Sequence, residues 1–253
     1  MHRYQILMEY VGTNFYGWQY QKKQITIQGT VEKILKKILK EKVKLYGSGR
    51  TDSKVHAIEQ SAHFDVKNKI NNIKKFFNTL NFFLNGKFIT VVKIKKRPLT
   101  FHARYSAKKR IYKYLIHNRE SLPSINRDRG WYVRKKLDYK LIKKASHFLK
   151  GTHDLSVFRA SNCSASSPIR TIDSLIIKKN NDIIEIKIKS RSFLKQQVRS
   201  IVGCLKYVGE KKWTINKFKK VLKSKNRNLC APPAPGTAVS YTHLRAHETL
   251  PYR

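Results

Sequence analysis

The sequence predicts an α+β fold of two subdomains with mainly antiparallel sheets. Three observations carry this. Alternating apolar residues mark strands, and stretches of three-and-four spacing interrupt them as helices. The succession of strand, helix and strand then restarts near Ile111 without any visible sequence repeat. Finally, a 40% hydrophobic fraction, with 11% aromatics, is enough to build real cores although the formal net charge is +40.

The elements follow in order. Tyr4, Ile6, Met8 and Tyr10 alternate across Arg3 to Gly12, a strand. Thr26 can cap a helix whose apolar positions are Ile27, Val31, Ile34 and Ile38. Strands are expected near Lys42 to Tyr46 and Glu59 to Val66, on either side of a glycine-rich turn. A helix over Ile70 to Leu84 and a strand over Ile89 to Lys95 complete the first set. Ile111 to Ile116 opens the second as a strand, followed by a helix over Leu137 to Leu149 closed by Gly151. "SLIIKKNNDIIEIKIKS" reads as a hairpin turning at Asn180 and Asn181, with Ile184, Ile186 and Ile188 on one face. A helix over Ser192 to Val208 carries Leu194, Val198, Ile201, Leu205 and Val208 on one stripe. With the hinge near Pro98 to Ala107, the subdomains are residues 1–104 and 105–236, their faces lining a cleft.

Residues 237–253 stand apart. No lysine follows Lys225, and "TAVSYTHLRAHETLPYR" changes composition and lacks a clear period. It resembles translated adaptor sequence and is read as an atypical, non-native tail. Such a tail is expected to pack poorly, leaving a strand edge unpaired.

Charge narrows the partners. Lys plus Arg number 55 against 15 Asp plus Glu. A field of that sign favours polyanions, nucleic acid first. Lysine accumulation in an AT-rich genome is the competing explanation, so the charge permits RNA or DNA binding without proving it. Cys163, Cys204 and Cys230 are far apart with no C-x-x-C pair, which argues against a zinc ribbon and suits a reducing compartment. "MHRYQILMEY" has charges where a signal peptide needs an apolar run, and nothing reaches the length of a membrane span.

"GSGRTD" has the first two glycines of a dinucleotide fingerprint, but Asp52 stands where the third belongs and would repel a pyrophosphate. No Walker-type loop occurs, and no carboxylates pair at metal-ligand spacing. Asp52 itself needs explaining in a chain so poor in acids. Two residues from Arg50 in extended backbone, it shares a face with that arginine. The pair is either a structural ion pair holding a turn or a catalytic carboxylate kept ionised by a cation.

"GSGRTDSKVHA" resembles the signature of the tRNA pseudouridine synthase A family, close to G-[AS]-G-R-T-D-x-G-V-H-A. "EYVGTNFYGWQYQ", "TFHARYSAKKRIYKYLI", "HDLSVFRASNC" and "FLKQQVRSIVG" resemble further blocks of that family, in family order. The resemblance implies the pseudouridine synthase fold: two ferredoxin- or RRM-like subdomains flanking a central basic RNA-binding cleft. It implies conversion of uridine to pseudouridine in the anticodon stem-loop of tRNA, at positions 38–40, with no metal and no cofactor. It also implies a cytoplasmic homodimer.

Residue by residue, Asp52 matches the essential aspartate and Arg199 the arginine that pairs with it. Tyr112 matches the tyrosine that stacks on the target base; plain strand core is its rival role. Arg50 is expected to open the RNA helix and hold the flipped nucleotide, and His102 and Arg104 to shape the RNA path. A structural ion pair for Arg50, a satisfied structural histidine for His102 and a solvated helix position for Arg199 are the alternatives. Ser53 and Lys54 depart from the family pattern, which has a small residue and a glycine there. If that glycine has positive φ, Lys54 is strained by about 1 kcal/mol.

Overall fold

A computed structural model describes residues 1–244 of the chain. They form an α+β structure that clusters into two compact units, Met1–Lys108 with the segment from Ser240, and Lys109–Val239.

The first unit contains β1 (His2–Tyr10), α1 (Ile27–Leu39), β2 (Tyr46–Gly47), β3 (His56–Val66), α2 (Ile73–Leu84) and β4 (Ile89–Arg97). β1 is central, antiparallel to both β3 and β4, with Ile6 opposite Ala62 and Ile94. Tyr4, Ile6 and Met8 are fully buried, as the alternation predicts. Thr26 caps α1 by accepting from the Gly29 N–H at 3.2 Å. Asn72 caps α2 the same way, accepting from Lys75 N–H at 2.8 Å, so this helix starts later than the expected Ile70. Of the expected strand Lys42 to Tyr46, only Tyr46 is in a strand, β2. Val43 and Leu45 are buried as the alternation requires, but the Leu45 N–H donates to the Glu32 carboxylate at 2.8 Å instead of to a neighbouring strand.

The second unit contains β5 (Lys109–His117), β6 (Trp131–Tyr132), α3 (Tyr139–Ser146), β7 (Gly151–Asp154), β8 (Ile169–Asn180), β9 (Ile183–Ser190), α4 (Gln197–Gly209) and α5 (Ile215–Lys223). The strands run β5-β9-β8-β7, antiparallel throughout, with β6 added parallel to β5. The β8–β9 hairpin turns where expected, and Asn181 takes the positive φ of 50° that the turn needs. Ile184, Ile186 and Ile188 are fully buried, and so is the core of the α4 stripe, Ile201, Leu205 and Val208. α3 is shorter than its pattern, because its last turn tightens to a 3-10 turn over His147–Leu149.

β10 (Val239–Leu244) corrects the expectation of a poorly packed tail. It runs parallel to β3, with Ser240 opposite His56 and Tyr241 opposite Ala57. Val239 and Tyr241 alternate into the core, and Tyr241 is fully buried with its hydroxyl 3.1 Å from Ser48 Oγ. A two-residue alternation is enough to fix one register when both faces find partners. The rest of that tail, residues 245–253, lies outside the described residues.

Candidate active site

Asp52 lies in the turn that joins β2 to β3, in no regular element. The turn is held by another loop, residues 12–18. Thr51 C=O accepts from Trp18 N–H at 3.0 Å, and Phe15 C=O accepts from Lys54 N–H at 3.1 Å. Gly12 N–H donates to His56 Nδ1 at 3.1 Å. At Thr51, the residue before Asp52, the hydroxyl shares a buried contact of 2.8 Å with that of Tyr10. Burial raises the Tyr10 pKa, so this phenol stays protonated.

Two glycines let the loops meet. A Cβ on Gly12 would sit 2.0 Å from Val55 O, and one on Gly17, whose φ is +88°, would sit 2.6 Å from Thr51 O. Asp52 is thereby half-buried between buried Thr51 and exposed Ser53. Lys54 has a φ of 66°, so the lysine does occupy a position that favours glycine. Arg50 is exposed, and residues 50–52 lie outside any strand, so strand alternation does not set their side-chain directions.

His102 and Arg104 stand in the turn after β4. His102 is half-buried, its Nδ1 accepting from Arg104 N–H at 3.2 Å, while Arg104 is exposed. Burial, together with the charges of Arg3 and Arg104, lowers the His102 pKa.

In the second unit, β5 carries Tyr112 and Tyr114 with different fates. Tyr114 is fully buried, its hydroxyl donating to Pro235 C=O at 3.1 Å. Tyr112 is half-buried with its ring edge-on to Phe193, centroids 5.0 Å apart. Of the two, Tyr112 is the more exposed.

Arg199 stands in the first turn of α4, half-buried. Residues 230–235 run along this helix as a strap. Ala234 C=O accepts from Arg199 Nε at 2.6 Å, and Ala234 N–H donates to Arg199 C=O at 3.0 Å. Gly203 admits the strap, since a Cβ there would lie 2.1 Å from Pro232 O. That contact fixes the Nε edge of the guanidinium. Among the described residues no group of three or more His, Cys, Asp or Glu is placed to hold a metal ion, and no helix is long and apolar enough to cross a membrane.

A strongly basic α+β chain that fixes one carboxylate in a glycine-clamped turn is equipped for chemistry on a polyanion. The comparisons specify which. The family described as tRNA pseudouridine synthase matches residues 6–106 and 145–244. The tRNA pseudouridine synthase A of Pelagibacter ubique (strain HTCC1062) is 60% identical over 235 residues, 93% of this chain and 96% of the relative. That of Thermoanaerobacter sp. (strain X514) is 43% identical over 235 residues, with the same coverage of 93% and 96%. The chain belongs to the tRNA pseudouridine synthase family, and its enzyme class is isomerase.

The matched stretches contain Arg50, Asp52, His102, Arg104 and Arg199; Tyr112 falls between them. They also run on through β10. Sequence reading missed the clamp formed by Tyr10, Gly12, Gly17 and Thr51. The spaced glycines of "GTNFYGW" were its only signal.

Proposed function

We propose that this enzyme isomerises neighbouring uridines on the 3′ side of the tRNA anticodon stem-loop, with Asp52 as the reacting carboxylate. The observation that carries the proposal is the holding of Asp52. A carboxylate in a chain so poor in acids is half-buried in a turn whose backbone is clamped from a second loop. A pure RNA binder gains nothing from an acid presented to phosphate.

In the reaction the N1–C1′ bond breaks, the uracil rotates without leaving, and a C5–C1′ bond forms. Asp52 either attacks C1′ or removes the C2′ proton to give a glycal, and in both routes it must be ionised. Arg199 supplies the counter-charge, its guanidinium fixed by the Ala234 carbonyl. The target base must leave its stack, at a few kcal/mol. Stacking on Tyr112 offsets part of that cost. Arg50, exposed beside the aspartate, enters the RNA helix, and His102 and Arg104 line the RNA path. The enzyme works as a cytoplasmic homodimer, as the family resemblance implies.

The test is Asp52→Asn under single-turnover conditions on unmodified tRNA, with pseudouridine mapped by position. The expected result is no pseudouridine, with tRNA affinity within about threefold of the parent. A rate near that of the parent removes Asp52 from the chemistry.

A further inference from the structure

Outside the turn that holds Asp52, the first unit carries an exposed cluster of rings and cations. Tyr46 on β2 stacks on His63, centroids 5.0 Å apart and planes 17° apart. His102 meets His63 edge-on at 4.7 Å and Tyr46 at 5.9 Å. Tyr105 lies 4.4 Å from His102. Tyr46 is 38% exposed and Tyr105 76% exposed, and a tyrosine ring left so far in water serves no core. Lys44 Nζ stands 5.3 Å from the Tyr46 ring centre, and the Arg104 guanidinium 5.8 Å from that of Tyr105.

The cluster is rigid. Arg3 pairs with Asp65 at 2.7 Å and donates to the carbonyls of Leu99 and Phe101 at 2.5 and 2.6 Å, pinning the turn that bears His102 and Tyr105. Ala103 N–H donates to His63 Nδ1 at 3.1 Å, and Ser106 Oγ accepts from His102 N–H at 3.1 Å. Burial, with the charges of Arg3 and His102, lowers the His63 pKa to about 4, so its ring is neutral at physiological pH. Neutral rings held in place, with cations at the rim, are what a flat heteroaromatic base on a phosphate chain needs. The rings stack on the base without ordering new side chains, and the cations meet the phosphates.

We propose that Tyr46, His102 and Tyr105 form a stacking platform for an unpaired base of the tRNA substrate, with Lys44 and Arg104 meeting the flanking phosphates. The proposal rests on tRNA being the substrate and adds a second base contact to the one proposed for Tyr112. The excess of 55 basic over 15 acidic residues favours RNA over a second protein as the occupant.

The experiment titrates the full chain and its variants into a short single-stranded RNA containing 2-aminopurine, at several salt concentrations. Anisotropy reports binding, and quenching of the 2-aminopurine reports stacking. Tyr105→Ala should weaken binding about fivefold or more at every salt concentration and lose the quench. Tyr105→Phe should bind within about twofold of the parent, and Tyr105→Leu should behave like the alanine variant. Lys44→Ala should keep the quench and lower the slope of log affinity against log salt by about one. Parental binding by Tyr105→Ala overturns the platform, as does equal binding by the leucine and phenylalanine variants. A change in sedimentation of Tyr105→Ala without a change in RNA affinity also overturns it, and assigns the face to contact between copies of the chain. Pseudouridine mapping on the same preparations separates the two readings. A parent that makes no pseudouridine fails the proposed function, while the oligonucleotide titrations still decide the platform.

Discussion

The turn that carries Asp52 and the helix that carries Arg199 are built by opposite means. The turn has no ladder of its own. Its backbone groups go to an earlier loop, through Thr51 C=O to Trp18 N–H and Lys54 N–H to Phe15 C=O. The helix runs on its own backbone ladder and is joined to the strap through Ala234, whose C=O accepts from Arg199 Nε and whose N–H donates to Arg199 C=O. Both depend on a glycine where main chain meets main chain, Gly12 against Val55 O in one unit and Gly203 against Pro232 O in the other. A carboxylate fixed by tertiary contacts is only as rigid as those contacts, whereas an arginine on a helix keeps its place when its neighbour loosens.

The largest expected effect tests that difference directly. In Gly12→Ala the new methyl would lie 2.0 Å from a carbonyl oxygen, so one of the two loops must move. Destabilisation of about 3 kcal/mol or more is expected, with loss of turnover, because the moving loop is the one that holds Asp52. In Gly203→Ala the strap can lift while α4 stays folded, so a smaller loss of about 1–2 kcal/mol is expected. Urea midpoints and single-turnover rates measure both. Equal losses would show that the helix is no more self-sufficient than the turn.

How far the sequence disclosed this arrangement follows from the same contrast. The family was legible because the signature around Asp52 is one contiguous run, and the α4 stripe because helical spacing is local. The clamp was not, since nothing near Gly12 or Gly17 says that residues 51–55 will arrive against them. α5 was missed although Thr214 caps it, accepting from Lys217 N–H at 3.1 Å, and Phe218, Val221 and Leu222 face the core. There the lysines of "INKFKKVLK" masked a readable stripe. β10 was misjudged for another reason. Its composition is foreign to the rest of the chain, but packing reads only shape and alternation, and Val239 and Tyr241 supply both.

A second effect separates the units by pH. His63 is buried in the first unit, with its pKa lowered from 6.5 to about 4 by burial first and then by Arg3 and His102. The unfolded chain therefore binds a proton that the folded one refuses. That contribution is complete above about pH 6.5 and is lost as pH falls toward 4. At pH 5 the loss is about 2 kcal/mol relative to neutral pH. In the second unit Asp154 is shifted the other way relative to its charge. A hydrogen bond from Ser156 lowers its pKa from 3.8, so its contribution survives until the pH falls below that value. Between pH 7 and 5 the first unit should soften while the second holds, as read by hydrogen exchange. His63→Gln should flatten the first unit's response. If both units soften together over that range, His63 is not the group responsible.

The smallest effect is the sharpest test of what holds each residue. Tyr10→Phe deletes the hydroxyl that meets Thr51 Oγ1 at 2.8 Å, and Tyr114→Phe deletes the one that donates to Pro235 C=O at 3.1 Å. Both phenols are buried, so each change should cost about 1 kcal/mol, including the partner left without its bond. Stability alone will not tell them apart, but turnover should. Loss of the Tyr10 hydroxyl frees Thr51, the residue next to Asp52; if Asp52 is the reacting carboxylate proposed above, a small displacement of it is costly, and about a tenfold fall in rate is expected. Loss of the Tyr114 hydroxyl loosens only the far end of the strap. Arg199 keeps both its bonds to Ala234 and its place on α4, so the rate should stay within about twofold. A Tyr114→Phe rate as low as that of Tyr10→Phe would mean that the strap, and not the helix, sets the position of Arg199. The two regions would then be held in the same way after all.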